Sequence, residues 1–405
     1  MSPACAIVGG GIHGAHVAHR LVSETDLDPS EVAIVDPRER LLDSFREKAR
    51  ACGMETLRSP FVHHLEVDPF SLRDFAEVND REDELRPTPD HPRRPTLDLF
   101  FDHARAAFAE SEIADSHVRA AVRGIDRSGG RIRVETSGGP IRADRLVLAV
   151  GHGPPRRPEW ARALPDEASV SHVWDDPVPV DGLSISGRVC VVGGGITAAH
   201  LAVRLAERAP VTLLARRELR EAHVEADPRW INWRRMENEL HPLPPGSEAR
   251  LERVRAAHRT GTVPPYLMRR LEDACERGDL RVRRGEIDSA RARGEEVSVR
   301  LADGAVDRFS WVVCATGFGD VANPLVERAS ESLGLQTGAG GLPVLDDRSL
   351  EWAGPGSDGS GVFVTGALGA LTLGPLAGTI AGARRAADRL IEVHERRAPP
   401  AVAAD

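Results

Sequence analysis

The sequence predicts an α/β protein built from two three-layer domains, the second inserted into the first. Three observations carry this. A buried apolar strand, a glycine-rich turn, a helix and a second apolar strand follow one another over residues 4–36, and the same order returns over 189–217. The strands are unbroken apolar runs, such as Val32-Ala33-Ile34-Val35 and Val189-Cys190-Val191-Val192. A parallel sheet covered by other layers on both faces requires such runs. After the second unit, strand-then-turn segments recur at Trp311-Val312-Val313-Cys314 and Gly361-Val362-Phe363-Val364, returning the chain to the first domain.

The expected organisation follows in order. Residues 1–165 form the first part of the outer domain. Residues 183–310 form the inserted domain, with a helical insertion at about 220–280. Residues 311–395 complete the outer domain, and 396–405 read as a frayed, flexible tail. Within the first part, 84–95 is rich in Pro, Asp and Arg and reads as a loop. A helix is expected over 97–109, with Leu99, Phe100, Phe101, Ala104 and Phe108 apolar, then strands at 132–136 and 141–150. The proline-rich stretch 154–181 reads as the crossing between domains. Helices are expected at 249–257 and 267–276, joined by a turn at 260–265, and a last helix at about 377–394.

The first turn is Gly9-x-Gly11-x-x-Gly14. Gly9 permits the tight exit from the strand, Gly11 lets the backbone approach a diphosphate, and Gly14 lets the helix pack close to the sheet. Free amides and the helix dipole then favour the anion at the helix tip. After the next strand stands Asp36, 27 residues past Gly9, a longer interval that the polar stretch 23–30 accounts for. An acid there accepts from a ribose 2′-hydroxyl and repels a 2′-phosphate. The second turn is Gly193-x-Gly195-x-x-Ala198, and its unit ends in Arg216-Arg217, 23 residues past Gly193. Guanidinium groups suit a 2′-phosphate, so NADPH is expected in preference to NADH. Further turns of small residues, Ala149-Val150-Gly151, Ala315-Thr316-Gly317 and Thr365-Gly366-Ala367, suit close passage of backbone by a cofactor. Gly374-Pro375 reads as the start of the last helix, with its dipole aimed at a flavin ring.

Composition removes several classes of function. The hydrophobic and charged fractions, 41% and 28%, are those of an ordinary globular chain. A formal charge of −9 speaks against a nucleic-acid partner. No apolar stretch is long enough for a membrane span, and the amino terminus runs straight into a strand, as in a mature cytoplasmic protein. Cys5, Cys52, Cys190, Cys275 and Cys314 are scattered, which suggests neither a zinc site nor a redox disulfide. His13, His16 and His19 share one stretch, but no carboxylate or cysteine joins them as metal ligands. The run Trp230-Ile231-Asn232-Trp233-Arg234-Arg235 suits either a substrate entrance or a packed helix. Positive charge is almost all arginine, since Lys48 is the single lysine.

In this order of motifs the chain resembles the flavoproteins with two dinucleotide-binding (Rossmann-like) domains, FAD on the first and NAD(P) on the second. It is most similar to the class B flavin monooxygenases, in particular the lysine/ornithine N-hydroxylase-like branch, over roughly the whole length. The segment Met54-x-Thr56-Leu57-Arg58-Ser59-Pro60-Phe61-Val62-His63-His64-Leu65 resembles the stretch that this branch lays along the flavin ring. Arg58 is accordingly expected at the cofactor. His63 and His64 fall where the branch often carries a lysine and an aspartate, and are candidates for stabilising a flavin adduct or shuttling a proton. Val170-Ser171-His172-Val173-Trp174 is similar to half of a monooxygenase fingerprint. The resemblance implies hydride transfer from NADPH to FAD, reaction with molecular oxygen, and a shielded peroxyflavin that oxygenates a small molecule. Two other readings stand beside it: a dehydrogenase passing electrons to a quinone or a protein, and a non-catalytic nucleotide-binding protein.

Overall fold

Runs of β-branched and small apolar residues form two five-stranded parallel sheets. The first runs in the order Val362–Val364, Arg145–Leu148, Cys5–Val8, Val32–Asp36, His117–Arg119. The second runs Val170–His172, Trp311–Cys314, Val189–Val192, Val211–Ala215, Leu280–Arg284. Both units place the glycine-turn strand at the centre, and both registers pair residue for residue, Cys5 with Val32 and Val189 with Val211. The computed structural model describes residues 2–174, 187–259, 261–319, 323–355 and 359–397. Residues 398–405 of the expected tail, 175–181 of the proline-rich crossing and the expected start of the inserted domain at 183 lie outside the described residues.

Each sheet is the middle of three layers. On one face of the first lie the helices Ile12–Glu24 and Ile380–Arg397, joined through Ala15, Ala18, Leu21, Ala387 and Leu390. On the other lies an antiparallel sheet, Val122–Ser128, Arg131–Thr136 and Ile141–Ala143, with the helix Pro324–Leu333. In Arg131–Thr136 alternate residues are buried, so Ile132 and Val134 face the core while Arg131 and Arg133 face outward. The second sheet repeats the plan. Helices Ile196–Ala206 and Pro265–Glu276 cover one face, and a three-stranded sheet led by Ile287–Arg293 covers the other.

Three expectations shift, and one left open is decided. The strand Trp311–Cys314 pairs with Val189–Val192 and Val170–His172, so the inserted domain extends past the expected boundary at 310, and its edge strand precedes the expected start at 183. The stretch 84–95 is a two-stranded antiparallel pair, Leu85–Thr88 with His91–Pro95. Prolines are tolerated in such an isolated pair, which has no further ladder to supply. The last helix begins at Ile380, not at Gly374-Pro375. Gly374 has φ 78, outside helical space, and the helix is capped instead by Thr379, whose hydroxyl accepts from Gly382 N at 3.2 Å. Trp230 is only 3% exposed and packs with Met236, Leu240 and Leu376, which makes it core.

The region 220–280 is anchored to the outer domain by Arg250, which is fully buried. Its guanidinium meets the Asp347 carboxylate at 2.6 and 2.7 Å and donates to the carbonyls of Leu243 (2.9 Å) and Leu371 (3.1 Å). No helix among the described residues is long and apolar enough to cross a membrane.

Candidate functional site

At the first turn Gly9 has φ 107, and a Cβ there would collide with the carbonyl oxygen of Ala149. A Cβ on Gly14 would collide with the carbonyl of Gly9, so helix and turn touch backbone to backbone. Around Gly11, by contrast, a Cβ would meet nothing within 4 Å. Gly11 caps the helix Ile12–Glu24 with no side-chain hydrogen bond, and no acid sits in the first turn, leaving that space as a cradle for an anion. The Asp36 carboxylate closes the turn, accepting from Gly10 N at 2.7 Å and from Arg38 N at 2.8 Å. Both oxygens keep a lone pair for a ribose hydroxyl. These residues fit the diphosphate and ribose of FAD.

The second turn repeats this geometry. A Cβ on Gly193 would collide with the carbonyl of Ala315, and Gly195 caps Ile196–Ala206 without a side-chain bond. The close-packed Ala198 is fully buried. The turn opens into a cavity of about 1000 Å³ that Arg156, Arg216, Arg217, Thr316 and Gly317 also line. The Arg216 side chain is 72% exposed and lies 3.9 Å from the Glu286 carboxylate, loosely enough to be recruited by a phosphate. A second cavity of about 670 Å³ lies at the far end of Ile12–Glu24 from the glycine turn. Glu66, Asp68, Glu110 and Glu112 line it, which makes it unsuited to an anionic nucleotide.

Between the two turns the domains are laced together. The Thr316 hydroxyl donates to the Arg156 carbonyl, Arg156 N donates to Gly317 O (2.9 Å), and Gly319 N donates to Pro154 O (2.8 Å). His152, directly after Gly151, stacks on Phe318, directly after Gly317, with centroids 4.7 Å apart and planes 8° apart. Trp174 lies parallel to Phe318 at 6.3 Å, and the Lys48 ammonium sits 5.6 Å from the same ring. His13 in the first turn hydrogen-bonds through Nδ1 to the Thr365 hydroxyl at 2.9 Å, and a Cβ on Gly366 would stand 3.7 Å from its ring. Sequence reasoning missed His13, His152, Phe318 and Arg156. The matching positions of His152 and Phe318, each just past a strand-end glycine, were the available signal.

Gly9, Gly11, Gly14 and Asp36 thus form one group, and Gly193, Gly195, Ala198, Arg216, Arg217, Thr316 and Gly317 another. Gly151 and Gly366 fall at strand ends beside the first group. Two expectations are corrected. Gly374 packs against Trp230, where a Cβ would stand 3.2 Å from the indole, and Pro375 lies in a turn five residues before the helix, so neither aims a helix dipole at a cofactor. Arg58 reaches the cavity of about 1000 Å³ at the second glycine turn rather than the first turn.

His64 is fully buried, its Nδ1 accepts from Glu66 N at 3.1 Å, and its ring meets His103 edge-on at 4.8 Å. Burial, with His103 and Arg384 nearby, pushes it down to about 3, so it stays neutral and structural. His63 is half-buried, and burial with Arg384 and Arg385 pushes it down to about 4. Burial likewise lowers His103 to about 4 and His200 to about 3. Unfolded, these groups titrate near 6.5, so below that pH the unfolded chain binds more protons and stability falls. The loss begins as pH drops through about 6.5 and continues toward 4, and is absent above it. The expected midpoint of thermal unfolding is roughly 5–10 °C lower at pH 5 than at pH 7.5. A flat profile over that range in a scanning calorimeter would contradict these buried neutral histidines.

The sequence model described as pyridine nucleotide-disulphide oxidoreductase matches residues 94–366, two thirds of the chain. This chain belongs to that family. A second model, FAD-NAD(P)-binding, matches residues 6–153, the span of the first glycine turn. No curated protein matches the sequence. Among solved structures, the family member resembles the ornithine N-hydroxylase of Kutzneria sp. 744, at 19% identity and a TM-score of 0.76, over 98% of this chain and 100% of that one. It also resembles the cadaverine monooxygenase of Erwinia amylovora, described as bound to FAD, at 15% identity and a TM-score of 0.75, over 97% and 94%. A third is the ornithine hydroxylase of Pseudomonas aeruginosa, at 16% identity and a TM-score of 0.74, over 98% and 99%. At these identities the likeness establishes the shared fold. The name of the family does not imply a thiol relay here. The five cysteines form no disulfide, and burial pushes Cys5 up to about 12 and Cys52 up to about 11, away from the reactive thiolate.

Proposed function

We propose that this chain is an FAD-dependent monooxygenase that takes hydride from NADPH and oxygenates a small molecule with molecular oxygen. The observation that carries the proposal is the lacing of the two strand-end turns, Gly151–Arg156 and Thr316–Gly319, between two anion-accepting helix tips. Nucleotides held at both tips would bring their reactive rings together at that seam. The ornithine and cadaverine hydroxylases that share the fold support the choice of chemistry. FAD, when bound, supplies a two-electron store between nicotinamide and oxygen.

The chain's own residues bind, orient and shield. Amides at the start of Ile12–Glu24 hold the FAD diphosphate in the space beside Gly11, and Asp36 accepts from the ribose. Amides at the start of Ile196–Ala206 hold the second diphosphate, and Arg216 with Arg217 take the 2′-phosphate. The parallel rings of His152, Phe318 and Trp174 exclude water from the seam. Burial and the Lys48 charge lower the His152 pKa, so that wall carries no added charge. Proton transfer is not assigned to His64, whose ring is sealed in the core.

Rapid mixing of FAD-loaded protein with NADPH, then with air, tests the reading. The flavin is expected to bleach, then recover its colour through a transient spectrum distinct from both the oxidised and the reduced cofactor. Reduced flavin that persists in oxygen and discharges to a quinone would make the protein a dehydrogenase instead. Failure to oxidise NADPH at all would leave only nucleotide binding.

A further inference from the structure

Arg58 belongs to the outer domain, on a segment held by the Thr56–Thr96 bridge and by Leu57 N donating to Pro95 O at 3.0 Å. Its guanidinium is spent in the inserted domain. Nε donates to the His223 carbonyl at 2.8 Å, and Nη2 donates to the Ala222 carbonyl at 2.9 Å and to the Thr262 hydroxyl at 2.8 Å. Nη1 lies 3.1 Å from the Glu225 carboxylate, and the side chain is 10% exposed. A planar fork saturated in this way has little left to offer a ligand.

Its partners flank the nucleotide cavity. Arg220–Glu221 and Thr262–Val263 pair in parallel, Ala222 N donates to Val263 O at 3.0 Å, and Arg259 N donates to Glu225 O at 2.6 Å. Next to Thr262 stands Gly261, with φ 74, where a Cβ would lie 3.2 Å from the Gly194 carbonyl. The closest atom to a Cβ on Gly195 is the Cα of Gly261, at 3.9 Å. This loop therefore leans on the turn that accepts the second diphosphate, and a side chain reaching over from the other domain pins it there.

We infer that Arg58 is a positioning residue for the pyridine nucleotide: through Ala222, His223, Glu225 and Thr262 it holds the loop carrying Gly261 against the second glycine turn, without touching a phosphate itself. The inference rests on the NADPH reading above. Losing the fork leaves the Glu225 carboxylate and the Thr262 hydroxyl without their partner and frees the loop. Because the loop meets the diphosphate end of the site, NADP⁺ and NAD⁺ weaken together. A residue that grips the 2′-phosphate would weaken NADP⁺ alone.

The test is calorimetric titration of NADP⁺ and NAD⁺ into FAD-loaded full-length protein and its Arg58→Lys, Arg58→Met and Glu225→Gln variants. Both Arg58 variants are expected to bind both nucleotides roughly 10- to 50-fold more weakly, with flavin content unchanged. Lysine keeps the charge but cannot span acceptors on two segments. Glu225→Gln keeps an acceptor oxygen and is expected to cost about 2- to 5-fold. Full affinity in Arg58→Lys, or a loss confined to NADP⁺, would make Arg58 a phosphate contact and overturn the inference. Unchanged affinity in Arg58→Met would overturn it as well. If Arg58→Met does not fold, Arg58→Lys and Glu225→Gln decide the question. Parent protein that binds neither nucleotide would overturn the NADPH reading together with this one, whereas a parent that binds beside unaffected variants overturns this one alone.

Discussion

Gly11→Val is expected to yield a folded, colourless protein. The backbone at Gly11 has φ −76 and ψ −168, extended values open to valine, and a Cβ there meets no protein atom within 4 Å. The substitution therefore spares the fold and fills the space into which the helix tip points its free amides. A branched side chain in the volume of a diphosphate is expected to weaken FAD by more than about 100-fold, ~3 kcal/mol. The measurement is the flavin-to-protein absorbance ratio after purification and after reconstitution with added FAD. Gly14→Val is the informative control, because its Cβ collides with the Gly9 carbonyl and should damage the fold itself. A yellow Gly11→Val protein with normal flavin content would remove FAD from the first turn.

Removing the two guanidinium groups after the second nucleotide strand should change which nicotinamide nucleotide the protein prefers. Arg216→Ala combined with Arg217→Ala takes away the charge-assisted donors that line the mouth of the large cavity. Hydrogen bonds to charged groups contribute about 1.5–3 kcal/mol each, so losing two should weaken NADPH by at least about 100-fold. NADH lacks the 2′-phosphate and should be used as before. Flavin reduction followed at varied NADPH and NADH gives both values. An equal loss for the two nucleotides would place the phosphate elsewhere in the cavity, which Arg156, Arg220 and Arg259 also line. The contrast with Arg58 is diagnostic, since a loop support is blind to the 2′-phosphate and a phosphate contact is not.

Local chemistry made much of this legible before any coordinates. Gly9, Gly14 and Gly193 were readable because a turn that brings backbone onto backbone admits no Cβ, and Gly11 because only a bare backbone leaves room beside the helix tip. The buried strands were readable because nothing but an apolar run survives between two covering layers. The 84–95 pair escaped notice because prolines usually mark loops, and nothing local shows that this one has no further ladder to supply. Gly374-Pro375 misled because a glycine and proline ahead of an apolar helical pattern satisfy every local rule for a helix start. The true cap, Thr379, lies five residues further on, and Gly374 sits instead at φ 78 against Trp230 from another part of the chain.

The sequence by itself therefore determined the two nucleotide-binding units, their glycine turns and the acid that closes the first. These depend on neighbours within a few dozen residues and on steric limits that hold in any context. Only the tertiary structure decided that Trp311–Cys314 joins the inserted sheet, that His64 is sealed in a core, and that Arg58 crosses to the other domain. In each of these the partner is remote: Arg58 and Thr262 are 204 positions apart. Contacts of that kind leave no periodic trace in the chain, because a long flexible side chain can spend its hydrogen bonds wherever folding brings acceptors within reach.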